Sequence, residues 1–262
     1  MQSPDKLVYS VQDLRAMLDD LLADRGGAWW DGFYTDRARQ IPFFVEWPDE
    51  NLVQWFGQGL LRPGRVLELG CGNGRNAVYL SAQGCQVDAV DFSARAIGWA
   101  RERAAAAGAQ VSFQCGSIFD AGFADGSYDL VYDSGCFHHL PPHRRQDYVE
   151  LVLRVLPPGG GYGLVCFRPD GGSGRSDQQV YEQRGLGGGL GYTRERLQAL
   201  WDGRLDIRQL RQMRHPAADE ALFGEDFLWA LLAGKPDQPA VGTWRAAPGA
   251  ATGAGTISAR CR

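Results

Sequence analysis

Residues 65–91, RVLELGCGNGRNAVYLSAQGCQVDAVD, constrain this chain more than any other stretch, because they specify in order a strand, a glycine turn, a helix and a second strand ending on an acid. Val66-Leu67-Glu68-Leu69 is a short, mostly apolar run suited to a parallel strand buried on both faces. Gly70, Gly72 and Gly74 then let the backbone turn tightly against a ligand. Helical spacing follows at Ala77, Val78 and Leu80, Gly84 ends that helix, and residues 86–90 make the second strand. Asp91 closes it, at the spacing where nucleotide-binding βαβ units place a carboxylate for the ribose.

Two ligand classes fit that unit. Gly72-Asn73-Gly74-Arg75-Asn76-Ala77 satisfies the G-x-G-x-x-A dinucleotide pattern, so glycine spacing alone leaves an NAD(P)-dependent oxidoreductase open. Glu68 discriminates. A carboxylate two residues before the first glycine adds unfavourable charge beside a pyrophosphate but suits a ligand carrying an ammonium and a sulfonium. S-adenosylmethionine is such a ligand. The other reading of Glu68, a solvated strand-end charge, fits less well in a sheet covered by helices on both faces.

At 262 residues the chain suits one sizeable α/β domain with extra segments. A formal net charge of −4, with the 27 lysines and arginines scattered, leaves no footprint for tracking nucleic-acid phosphates. There is no signal-type apolar region near the start and no apolar run approaching about 18 residues, so the expectation is a cytoplasmic protein without a membrane span. The six cysteines form no C-x-x-C pair and read as reduced thiols, with no metal site.

Three regions are expected. Residues 1–60 form an N-terminal lid, with an amphipathic helix at 11–22, an aromatic cluster at Trp29, Trp30, Phe33 and Tyr34, and a second helix at 51–58. Residues 61–235 form the core, where further strands are expected at 111–114, 128–132, 161–167, 206–213 and 227–233. Helices are expected between them at 94–107, 143–156 and 193–201, and residues 170–192 read as a glycine-rich loop beside the fifth strand, placed to cover the substrate. From about residue 236 the alanine, glycine, proline and threonine of the tail offer little to bury, so disorder is expected there. The alternation implies an α/β, doubly wound parallel sheet with its ligand at the carboxyl ends of the strands, near Glu68, Asp91 and Asp133.

With the glycine turn, the acidic strand end and Leu156-Pro157-Pro158-Gly159-Gly160 in order, the core resembles the class I S-adenosylmethionine-dependent methyltransferases. That resemblance implies a seven-stranded Rossmann-like sheet whose last strand is antiparallel. It further implies that Glu68, Gly70, Cys71, Gly72, Asn73 and Gly74 hold the methionine end of the cofactor, that Asp91 accepts hydrogen bonds from the ribose, and that Phe92 packs on adenine. The chain departs from the family at Cys115-Gly116-Ser117-Ile118, where an aspartate is common in place of Ser117. A serine hydroxyl can still accept one hydrogen bond from adenine, with Ile118 as an apolar face. Within the class, residues 128–134, 142–145 and 157–160, together with Arg39-Gln40-Ile41-Pro42-Phe43-Phe44, resemble the group that methylates thiols, halides and tellurite. Similar sequences methylate nitrogen, oxygen or carbon of small metabolites, so the acceptor is open, as is the oligomeric state.

Methyl transfer is an in-line displacement that rests chiefly on positioning, so a thiolate acceptor needs no further group. A hydroxyl or protonated nitrogen needs a base. His138 and His139 follow the fourth strand at the cofactor end and are the candidates, the alternative being a ring that bonds a loop carbonyl. Asp133, expected at the tip of that strand, is placed near the cofactor's ammonium or the acceptor. Trp29, Trp30, Phe33, Tyr34, Phe43 and Phe44 make either an aromatic cage for the sulfonium or a small core. Arg37 and Arg39 are read as ligands for the cofactor carboxylate or as solvated charges. Cys136 reads as a buried, inert thiol, and His143 and His215 as structural or exposed. A fold that binds cofactor without catalysis is the remaining alternative.

Overall fold

The computed structural model describes residues 7–22 and 26–237, so nearly all of the tail, Cys261 included, lies outside the described residues. Three helices precede the sheet: α1 (Val11–Leu21), α2 (Gly27–Phe33) and α3 (Glu50–Gly57). The alternating core follows as β1 (Arg65–Leu69), α4 (Arg75–Ala82), β2 (Gln86–Asp91), α5 (Ala94–Ala106), β3 (Val111–Cys115) and β4 (Leu130–Ser134). Two 3-10 turns, Phe137–His139 and Pro142–Arg144, lead into α6 (Arg145–Val155) and β5 (Gly161–Phe167). The chain continues through α7 (Asp177–Glu182), α8 (Arg194–Trp201), β6 (Asp206–Gln212) and β7 (Leu228–Gly234).

The seven strands lie in the order β3-β2-β1-β4-β5-β7-β6. The first five are parallel, and β7 runs antiparallel to both β5 and β6. Order reverses beside β1, which pairs with β2 on one side and β4 on the other, and such a switch point opens a crevice at the strands' carboxyl ends. Alternation along each strand sorts the core. Leu67, Leu69 and Val131 pack with Tyr148, Val152 and Trp201 on one face, while Val66, Val87 and Tyr132 pack with Leu52, Trp55 and Leu80 on the other.

Three expectations shift. Strand β4 runs Leu130–Ser134 rather than 128–132, so Asp133 lies within the strand and not at its tip. The helix expected from 143 starts at Arg145, because Pro142 opens a separate 3-10 turn first. The 170–192 segment contains α7, whose N-terminus is closed by a capping box between Ser176 and Gln179.

Candidate active site

Asp91 ties the glycine turn to the next helix. Its Oδ2 accepts the Gly72 N–H at 2.8 Å and its Oδ1 the Ser93 N–H at 2.9 Å. Burial pushes its carboxyl up to about 6, while those backbone donors pull the other way. Glu68 lies on the same side of β1 as Val66 and is only 2% exposed. Its Oε2 has no hydrogen-bond partner among the described residues. Burial raises its carboxyl well above the usual range, with Arg75 the main opposing charge. A buried carboxylate oxygen left unpaired is unfavourable by about 1–3 kcal/mol, and a ligand ammonium would relieve that.

The N-terminal segments close over this turn. Asn73 donates to the carbonyls of Phe43 and Val45, both at 3.4 Å, and Asn76 exchanges two hydrogen bonds with Asp49 at 2.9 and 3.0 Å. Asp31 of α2 accepts from the Ser93 hydroxyl at 2.6 Å and the Arg95 N–H at 3.1 Å, fixing α2 to the start of α5. Gly72 has φ +54°, and a Cβ there would lie 2.8 Å from the Tyr34 hydroxyl, so the turn needs glycine for both backbone and lid. Between turn and lid lies a cavity of about 890 Å³ lined by Glu68, Gly70, Cys71, Gly72, Asn73 and Asp91, among others.

The adenine-side candidates also reach it. Phe92, Ser117 and Ile118 line the cavity, although the Ser117 hydroxyl already accepts the Phe119 N–H at 3.1 Å. Gly74 serves the helices instead, since a Cβ there would meet that of Ala100 at 2.7 Å. Of the aromatic group, Trp29, Trp30, Phe33, Tyr34 and Phe43 line the cavity. Phe44 packs on Trp99 with centroids 5.1 Å apart, so the cluster is both wall and small core. Arg37 and Arg39 are engaged elsewhere: Arg37 forks onto Glu102, and Arg39 lies over the Phe33 ring.

His138 and His139 both line the cavity. The His138 ring stacks on Phe167 with centroids 3.8 Å apart, and its Nδ1 accepts the Phe167 N–H at 3.3 Å. Burial and the neighbouring His139 hold its pKa well below the usual histidine value, so it is neutral at pH 7 with its proton on Nε2. The His139 ring meets Trp30 edge-on at 4.9 Å. Asp133 does not line the cavity, contrary to expectation. One residue beyond Tyr132, its side chain turns to the α6 face. There it accepts the Cys136 N–H at 2.8 Å, the Phe137 N–H at 3.0 Å and the Tyr148 hydroxyl at 2.7 Å. Burial raises its carboxyl to about 7. Asp133 therefore shapes the turn that presents the two histidines. Leu186 and Gly188, from the 170–192 loop expected to cover the substrate, and Phe227, which sequence reasoning left out, complete the wall beside Phe167. All three lie far from the glycine turn in sequence, and no local pattern marks the individual residues.

Residues 66–160 match the family model described as a methyltransferase domain. Residues 66–160 therefore form a methyltransferase domain within this seven-stranded sheet. This domain is 37% identical, over 47% of the chain and 53% of the relative, to an uncharacterized methyltransferase of Synechocystis sp.. It is 30% identical, over 50% of the chain and 57% of the relative, to the 2-heptyl-1-hydroxyquinolin-4(1H)-one methyltransferase of Mycobacteroides abscessus. The chain thus spans about half the length of the curated relatives it matches. Its fold is shared with a protein studied for conversion of a disulfide bond into a thioacetal group during echinomycin biosynthesis, at TM-score 0.63 and 21% identity, over 82% of this chain and 93% of that one. The methyltransferase match and the buried Glu68 both stand against the dinucleotide alternative.

Proposed function

We propose that this chain moves the methyl group of S-adenosylmethionine to a small, largely apolar acceptor, and that it does so in the cytoplasm. The observation that carries the cofactor is the unpaired, buried Glu68 Oε2 in the same cavity as Asp91 and the glycine turn. Glu68 holds the ammonium, Asp91 accepts from the ribose hydroxyls, and Phe92, Ser117 and Ile118 border the adenine. Bound there, the cofactor supplies an electrophilic methyl carbon on a sulfonium. Beyond it the walls are Trp30, His139, Leu140, Phe167, Leu186 and Phe227. These side chains exclude water from the nucleophile and leave little to solvate a charged acceptor. The relative from Mycobacteroides is named for a heptyl-substituted hydroxyquinolone, and an apolar acceptor with an exchangeable hydroxyl suits these walls.

His139 takes the acceptor's proton when the nucleophile is a hydroxyl or a protonated nitrogen. His138, fixed as a neutral Nε2–H donor by Phe167, orients the acceptor or steadies its developing negative charge. The cytoplasmic reading is supported by five described cysteines that carry no disulfide and by the absence, among the described residues, of any helix long and apolar enough to cross a membrane.

Calorimetric titration with S-adenosylhomocysteine tests the cofactor. Saturable binding is expected, weakened about ten-fold or more in Asp91→Ala through loss of charge-assisted hydrogen bonds. No saturable binding, or binding unchanged in the variant, sinks the proposal. Labelled cofactor offered to pooled phenol, amine, thiol and indole acceptors then identifies the nucleophile.

A further inference from the structure

The 170–192 segment is fastened along its length, as a wall is, and does not hang as a loose cover. At its root the Arg168 N–H donates to the Phe227 carbonyl at 2.9 Å and the Tyr192 N–H to the Phe167 carbonyl at 3.0 Å, which ties both ends to the sheet. Across its neck the Ser173 N–H donates to the Gly189 carbonyl at 2.8 Å, and a Cβ on Gly172 would lie 2.2 Å from the Gly191 nitrogen. Only glycine lets two backbones meet so closely. Farther out, Arg175 donates to the Gly185 carbonyl at 2.6 Å, and Arg145 of α6 forks onto Asp177 of α7 at 2.6 and 2.9 Å. Val180 of α7 is fully buried.

The inner side of this wall rests on the acceptor half of the cavity. The Leu190 N–H donates to the His138 carbonyl at 2.8 Å, and a Cβ on Gly189 would lie 2.7 Å from the Phe167 ring and 3.0 Å from that of His138. The segment therefore packs directly on the stacked His138 and Phe167 rings. Leu186 and Gly188 line the cavity beside them. Gly188 adds no side chain and has φ +121°, so among the described residues Leu186 is the one side chain that the segment turns to the cavity. Leu186 is 5% exposed and shares a core with Val180 and Leu190 behind it. A side chain backed by a packed core gives way little to a longer ligand, because added methylenes there force strain.

Resting on the acceptor reading above, we propose that Leu186 sets the depth of the acceptor site, so that the enzyme takes an acceptor whose apolar substituent is limited in length where it meets this wall. The full chain, saturated with S-adenosylhomocysteine, is titrated by calorimetry with 4-alkylphenols from 4-methylphenol to 4-heptylphenol. Wild-type affinity rises about three- to four-fold per added CH2 until the chain reaches Leu186, and then falls. In Leu186→Ala the turning point moves to a chain about two carbons longer, and in Leu186→Phe to a shorter one. Affinity for S-adenosylhomocysteine stays within about two-fold in both variants, since the substitution lies on the acceptor side. A turning point at the same chain length in wild type and variants overturns the proposal, as does a wild-type series without one. The Phe variant decides the question where the Ala variant, short of core volume, does not fold. Wild type that binds S-adenosylhomocysteine but none of the alkylphenols refutes instead the apolar-acceptor reading beneath it.

Discussion

Asp91 shows how far burial sets the chemistry of single residues here. With its carboxyl near 6 it is ionised at neutral pH and protonated near pH 5, where it loses the charge that ribose hydroxyls would bond. S-adenosylhomocysteine affinity is expected to fall as pH drops through about 6, and Asp91→Asn to remove that part of the profile. Calorimetry from about pH 5 to 8 checks this, and a flat wild-type profile contradicts it. Stability responds in the opposite sense. Because the folded value is raised above the unfolded one, the native state binds more protons between about pH 4 and 6, and Asp91's contribution to stability declines as pH rises through that window. For His139→Ala, turnover should fall about a hundred-fold with hydroxyl or protonated nitrogen acceptors and change little with a thiolate. Equal, small losses across all acceptors would remove His139 from the mechanism. Asp91 was legible from its spacing after the glycines, whereas Asp133 was misplaced because β4 runs on to Ser134 and, one residue past Tyr132, the alternation turns its side chain to the α6 face.

Among the elements, α1 is held chiefly by polar contacts. None of its residues is buried, and Val11, Leu14 and Met17 are exposed. Polar contacts attach it: Asp19 accepts from Arg144 Nε at 3.1 Å and meets His143 Nε2 at 3.0 Å, and Arg15 pairs with Asp147 at 2.6 Å. His143 in turn meets the Tyr181 hydroxyl of α7 at 3.0 Å, so one carboxylate links the lid to both the turn after β4 and the late loop. An isolated helix of this length is marginal in water. Asp19→Ala should therefore raise amide exchange in residues 11–21 by about ten-fold or more while leaving the sheet protected. Hydrogen-exchange mass spectrometry measures it, and unchanged protection would mean that other contacts hold α1. Helix α1 was legible from its apolar period, but α7 was not. Its Ser176 and Gln179 carry a cap signature, yet the glycines on either side of so short a polar segment masked it.

At the scale of the whole molecule, the crevice beside β1 gathers Glu68, Asp91 and Arg75 with a lid drawn from before the sheet, and Glu68 Oε2 is buried there without a hydrogen-bond partner among the described residues. Glu68→Gln should raise the Tm of the ligand-free protein at pH 8 by a few degrees while weakening S-adenosylhomocysteine binding. A lower Tm together with weaker binding would show that Glu68 stabilises the fold itself. What the sequence by itself determined was the parallel core, the glycine turn and the placement of the two acids Glu68 and Asp91 beside it. Each depends on spacing within one βαβ unit, where period and chain length leave few alternatives. Only the tertiary structure decided that Asp133 faces α6, that His138 keeps its proton on Nε2, that Arg75 rather than Arg37 or Arg39 enters the cavity, and that Asp19 fastens the lid. Those outcomes depend on strand register and on partners far away in the chain, such as Tyr148, Phe167, Asp49 and Arg144, and local pattern carries no record of either.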